Sequence, residues 1–90
     1  MSGNGLSAER GLSTPDVLTA AVDRRLARTA GTVVVLADHT KVGVEAMTQT
    51  VPTAAIDHLI TDDRSDPGEL RRLEAAGVAV TVCRVDRSPG

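Results

Sequence analysis

Two short runs carry the side chains with the most chemistry in this 90-residue chain: Asp38, His39, Thr40 and Lys41, and then Thr61, Asp62 and Asp63. Lys41 is the only lysine. An ammonium flanked by hydroxyls can hold a phosphate, and carboxylates accept hydrogen bonds from sugar hydroxyls. Each run follows an apolar stretch that ends at Ala37 or Ile60. In open parallel sheets, ligands settle in the crevice beyond the carboxyl ends of the strands. If the two stretches are neighbouring strands, all seven residues line one rim. The same residues also make ordinary turns, because Asp and Thr after a strand satisfy nearby backbone groups. On the residues alone the turn reading is the favoured one, most of all for residues 61–63.

Other chemistry is excluded more firmly. The net charge is −2, and nine of the ten basic residues are arginines scattered among acids, which reads as solvated helix faces. The chain has no aromatic residue, so no basic stripe interleaved with stacking rings exists for nucleic acid. One cysteine, Cys83, allows neither an internal disulfide nor a multi-cysteine zinc site. It lies in an apolar run, which predicts a buried, inert thiol. The two histidines lack the spacing of a metal site, and His58, at a strand start, reads as a surface or interface residue. No cofactor is expected. "GNG" at residues 3–5 does not open a helix after a strand, so it fails as a phosphate loop. No nucleophile elbow is present. No stretch reaches the roughly 18 apolar residues of a membrane span, and residues 1–11 lack the basic and apolar parts of a signal peptide. The expected location is the cytoplasm.

The elements that must position the two runs follow from pattern. Residues 1–14 are rich in Gly and Ser, without periodicity, and are expected to be a loop lead-in. Thr14, Pro15 and Asp16 predict a helix start, with Thr14 as the cap and Pro15 at the first position. Leu18, Val22 and Leu26 recur every four residues with Val17 and Ala21 beside them. This predicts an amphipathic helix of about four turns, buried on that side and ending near Gly31. "TVVVLA" reads as a strand buried on both faces. Residues 42–53 suggest a short extended segment stopping before Pro52, and residues 57–61 a second strand. Asp66, Pro67 and Glu69 predict a second helix with an N-cap, Pro at the first position and a capping box. Its buried side carries Leu70 and Leu73, and Gly77 ends it. "VAVTVC" is a third strand, and residues 85–90 a tail. Alternation of this kind predicts an α/β fold with a mostly parallel sheet and flanking helices, packed as one domain over residues 15–84. Three strands leave open edges, which argues for a partner or further chain.

"GNGLSAERGLSTPDVLTAAVDRRL", "VVVLADHTKVG", "AIDHLITDD" and "LRRLEAAGVAVTV", in that order and spacing, resemble the C-terminal half of the effector-binding domain of DeoR-family bacterial transcriptional regulators. The resemblance covers about residues 3–82. It implies a sensor fold like ribose-5-phosphate isomerase and CoA-transferase, a phosphorylated sugar as effector, and a homo-oligomer. DNA would be bound only through a winged helix-turn-helix that these ninety residues lack. The family's Asp-x-Ser/Thr-Lys loop falls on Asp38, Thr40 and Lys41, and its Thr-Asp motif on Thr61 and Asp62. Val42 stands where relatives usually carry an aromatic residue. The first half of the sensor domain is also missing from the resemblance, so a truncated regulator without enzymatic activity is the expectation. A fragment of a sugar-phosphate isomerase, or a small module dimerising through its sheet edge, are the alternatives.

Overall fold

The computed structural model describes residues 1–85, and the expected tail therefore lies, from residue 86 on, outside the described residues. In chain order the elements are β1 (Gly5–Ser7), β2 (Gly11–Thr14), α1 (Val17–Thr29), β3 (Val34–Leu36), β4 (Thr48–Val51), a 3-10 turn (Thr53–Ala55), β5 (His58–Asp62), α2 (Pro67–Ala75) and β6 (Ala79–Cys83). They form two three-stranded sheets. One is parallel, in the order β3-β5-β6; the other is antiparallel, in the order β1-β2-β4. The fold is α/β as expected, and the expected parallel sheet is one of the two, the antiparallel one standing beside it. Strand β4 does stop just before Pro52.

The loop expected over residues 1–14 is instead a hairpin, buried along both strands. Its glycines are packing devices. A Cβ on Gly5 would stand 2.3 Å from the Val44 carbonyl oxygen, so only glycine admits that strand contact. Gly11 opens β2 at φ 79, a region that L side chains rarely adopt, with Val51 O only 2.1 Å from where a Cβ would stand. Small residues chosen for close approach carry no hydrophobic period, and so the strands are hidden from pattern. Met1 lies along the outer edge of β3: its amino group donates to Val34 O at 2.9 Å, and Leu36 N donates to Met1 O at 2.8 Å.

Helix α1 starts two residues later than expected. Asp16 is the N-cap, accepting from Leu18 N at 3.0 Å and from Thr19 Oγ1 at 2.7 Å. Thr14 stays in β2 and donates its hydroxyl to Asn4 Oδ1 at 3.0 Å. The expected buried face is wrong as well. Leu18, Val22 and Leu26 are 74%, 52% and 53% exposed, and Val17 is exposed beside them. The helix packs on β4 and β2 through its other side, where Ala20 is fully buried. Arg24 fastens it by donating to Gln49 O from Nε at 3.1 Å and Nη2 at 2.7 Å.

Helix α2 follows its expected signals closely. Asp66 caps it, accepting from Glu69 N at 3.0 Å, and Pro67 opens it. Gly77, at φ 101, closes it: Val78 N donates to Leu73 O at 3.1 Å and Gly77 N to Glu74 O at 3.0 Å, the double bond of a helix ending in a left-handed residue. Leu73 is fully buried and Leu70 half-buried. Only half of the capping box forms, because the Glu69 carboxylate does not turn back to Asp66. The core is one aliphatic cluster that joins the sheets, with Leu6, Leu12 and Val51 from the antiparallel one and Val35, Leu59 and Leu73 from the parallel side. Strand β6 lies at the sheet's edge, and Cys83 on it is exposed rather than buried. His58 is half-buried, with Nε2 2.6 Å from Thr81 Oγ1.

Candidate functional site

Strands β3 and β5 are neighbours in parallel register, with Leu36 opposite Ile60, so the two polar runs emerge side by side at one end of the sheet. Ala37 N extends the ladder by one bond to Ile60 O at 3.2 Å. The chain then coils into a single turn, with Lys41 N donating to Asp38 O at 3.0 Å and Val42 N to the same oxygen at 3.3 Å.

Within that turn each side chain fixes the next. Asp38 Oδ1 accepts the Thr40 amide at 2.9 Å and also the Thr40 hydroxyl. Lys41 Nζ donates to Thr40 Oγ1 at 3.2 Å and stands 3.9 Å from Asp38 Oδ2. Across the rim, Asp62 grips His39 twice: Oδ1 accepts the His39 amide at 2.7 Å, and Oδ2 lies 2.8 Å from His39 Nδ1. The second contact becomes an ion pair once the imidazole is protonated. The structure thus gathers Asp38, His39, Thr40, Lys41 and Asp62. Thr61 does not join them, because its buried hydroxyl lies 2.6 Å from Ser65 Oγ. Asp63 is exposed on the following turn.

The electrostatics follow from these bonds. The Thr40 hydroxyl, and after it the Thr40 amide, hold the Asp38 carboxyl below its ordinary value, with the nearby Lys41 and His39 charges adding to the effect. Desolvation pushes the Asp62 carboxyl up, but the hydrogen bonds and charge of His39 outweigh it and the net shift is downward. Both carboxylates are therefore ionised at neutral pH. The Lys41–Asp38 pair is long, and its side chains are 39% and 56% exposed, the geometry of an ion pair worth little in water. Lys41 is thus held at the rim without being committed to a strong partner. An anionic group arriving there can meet the Lys41 ammonium, while the Thr40 hydroxyl gives its proton to Asp38 and its oxygen to Lys41. Among the described residues no group of three or more His, Cys, Asp or Glu could hold a metal ion, and no helix is long and apolar enough to cross a membrane.

Sequence reasoning missed what holds the turn from behind. Leu6 of β1 brackets Val42: Leu6 N donates to Lys41 O at 2.9 Å, and Gly43 N donates to Leu6 O at 2.7 Å. On the same side a cavity of about 280 Å³ is lined by Ser7, Glu9, Gly43, Glu45, Glu69 and Arg72, among others. The signal available was Gly5, whose lack of a side chain lets β1 pass close to the Val44 carbonyl, but a glycine in a Gly/Ser-rich stretch reads first as loop.

The family model described as the DeoR C terminal sensor domain matches residues 1–63. The chain is similar to the HTH-type transcriptional regulator UlaR of Escherichia coli O1:K1 / APEC, with 40% identity over 79 residues that cover 88% of this chain and 31% of that protein. The UlaR proteins of Escherichia coli K12 / DH10B and of Shigella boydii serotype 18 give the same identity and coverage. The chain therefore spans about a third of the length of the curated relatives it matches. No solved structure matches it.

Proposed function

The chain belongs to the DeoR C-terminal sensor domain family, and on that premise we propose that it is the effector-sensing part of a bacterial regulator of carbohydrate genes, taking a phosphorylated sugar at the rim. Lys41 receives the phosphate, and the Thr40 hydroxyl, whose proton goes to Asp38, holds the ammonium in place through its oxygen. Asp38 orients Lys41 through Thr40 and accepts a sugar hydroxyl. His39 and Asp62 hold the ends of β3 and β5 together and give the ligand a fixed floor. Thr61 serves from inside by keeping the β5 end rigid through Ser65.

The observation that carries this reading is the lone lysine, kept in place by an exposed 3.9 Å pair and one hydroxyl on the carboxyl end of a parallel sheet. The reading requires no bond-making step and so no catalyst. Its output is a population shift: the effector favours one arrangement of the regulator only as far as it binds that arrangement better. DNA contact belongs to a winged helix-turn-helix elsewhere in such a regulator, which acts as a homo-oligomer in the cytoplasm.

The test is titration of sugar phosphates against the wild-type chain and Lys41→Ala. A charge-assisted bond to phosphate is worth about 1.5–3 kcal/mol, so the variant is expected to bind at least tenfold more weakly. Equal affinity for both proteins contradicts the assignment.

A further inference from the structure

We infer that Glu69 is a positioning residue for the Lys41 turn, acting at a distance through strand β1. The inference rests on the sensing role proposed for that turn. Glu69 follows β5 in sequence, in the first turn of α2, and is 8% exposed. Its Oε1 accepts the amide of Ala8, sixty-one residues away in sequence, at 2.8 Å. Its Oε2 accepts from Arg72, at 2.6 Å from Nη2 and 3.0 Å from Nε. A glutamate three residues after a capping aspartate has a nearer partner, the cap's own N–H. Here the carboxylate bridges two elements instead.

The element it reaches is the one that supports the site. Ala8 is the residue directly after β1, and β1 is an edge strand of only three residues. One side of β1 pairs with β2, and the other, through Leu6, brackets the backbone of Lys41 to Gly43. Ser7 adds a second tie, donating its hydroxyl to Glu45 Oε2 at 3.1 Å, just past the turn. The Lys41 turn is thus clamped twice by what β5 and its following helix supply: in front by Asp62 on His39, and behind by Glu69 through Ala8 and Leu6. A buried carboxylate is costly to desolvate, and an apolar side chain could have filled the space. What an oxygen here provides, and an apolar side chain does not, is a directed acceptor that fixes where β1 ends.

Three variants separate positioning from bulk stability. Glu69→Gln keeps an oxygen for the Ala8 amide and loses the charge facing Arg72. Arg72→Ala removes only the ion pair. Glu69→Ala removes the acceptor. In the ligand-free protein, amide resonances of Leu6, Lys41 and Gly43 are expected to move in Glu69→Ala and to stay near wild type in Glu69→Gln and Arg72→Ala. Inorganic phosphate, titrated against the same proteins, is expected to bind at least fivefold more weakly to Glu69→Ala and within twofold of wild type to Glu69→Gln. Glu69→Asp, which draws the carboxylate back by one methylene, gives the same reading with the charge retained if the alanine variant does not fold. Unmoved Lys41 and Gly43 amides in both Glu69→Ala and Glu69→Asp overturn the inference, as does equal weakening by Glu69→Ala and Glu69→Gln. If wild type and Lys41→Ala bind phosphate alike, the sensing role falls, while the ligand-free resonances still decide whether Glu69 positions the turn.

Discussion

Helices α1 and α2 both begin at an aspartate whose side chain accepts a backbone N–H of the first turn, Asp16 from Leu18 and Asp66 from Glu69. Their sequences differ in the opposite sense to their burial. α1 carries the cleaner apolar stripe, and that stripe faces outward. α2 offers little more than Leu70 and Leu73, and Leu73 is fully buried. The difference lies in what each helix connects. α2 is the crossover between the parallel neighbours β5 and β6, and such a crossover packs back on its own sheet in one hand only. α1 runs from the antiparallel sheet to the parallel one and rests on β2 and β4 through its small side, where Ala20 permits close approach. Periodicity identifies which face is apolar. It does not say which face the same chain covers.

Four perturbations sharpen or break this contrast, beginning with the largest. Leu73→Ala is expected to cost about 2–5 kcal/mol in denaturant unfolding, the range for emptying a buried leucine site. Leu26→Ala, of the same chemistry on the exposed stripe, is expected to stay within about 0.5 kcal/mol. Comparable losses at the two sites would mean that the α1 stripe is buried in solution.

The second is the close of α2. Gly77→Ala forces a side chain into the left-handed region and is expected to cost about 1–2 kcal/mol by thermal unfolding. Gly31, after α1, has nothing within 4 Å of where a Cβ would stand and no such φ, so Gly31→Ala is expected to be close to neutral. A neutral Gly77→Ala would remove the ending described for α2.

The third uses pH. Asp16 at the start of α1, and Asp38 and Asp62 at the rim, all have carboxyls lowered from 3.8, by the Thr19 hydroxyl, by Thr40, and by His39 against desolvation, respectively. A lowered folded-state value stabilises fully above 3.8 and loses that contribution as pH falls through the lowered value. Melting temperature is therefore expected to drop on acidification below that point, and Asp62→Asn is expected to flatten part of the drop. An unchanged acid profile in Asp62→Asn would show that the His39 contact adds no pH-dependent stability.

The smallest expected effect belongs to the N-cap. Asp16→Ala removes the acceptor of Leu18 N and is expected to lower the thermal unfolding transition least of the four, because the helix start is exposed.

The parallel half of the fold was readable because its signals are local. A β-branched run marks β3, and Asp66, Pro67 and Gly77 bracket α2. The rim was readable in part, since two polar runs after two buried strands meet whenever those strands are neighbours. What pattern could not reveal was the hairpin of β1 and β2, whose glycines and serines are there for close approach. Equally hidden was the bond from Glu69 to Ala8, because contacts so far apart in sequence leave no spacing to read. The exposed Cys83 has the same origin, since an apolar run says nothing of lying at a sheet edge.

The role proposed for Lys41 is to receive a phosphorylated sugar. Thermal unfolding of the wild-type chain and Lys41→Ala, each with and without a panel of sugar phosphates, tests it most directly. A ligand at a hundred times its Kd stabilises the folded state by about 2.7 kcal/mol. One member of the panel is expected to raise the wild-type transition by several degrees and to leave Lys41→Ala nearly unmoved. An equal rise in both proteins would place the phosphate away from Lys41 and contradict that role.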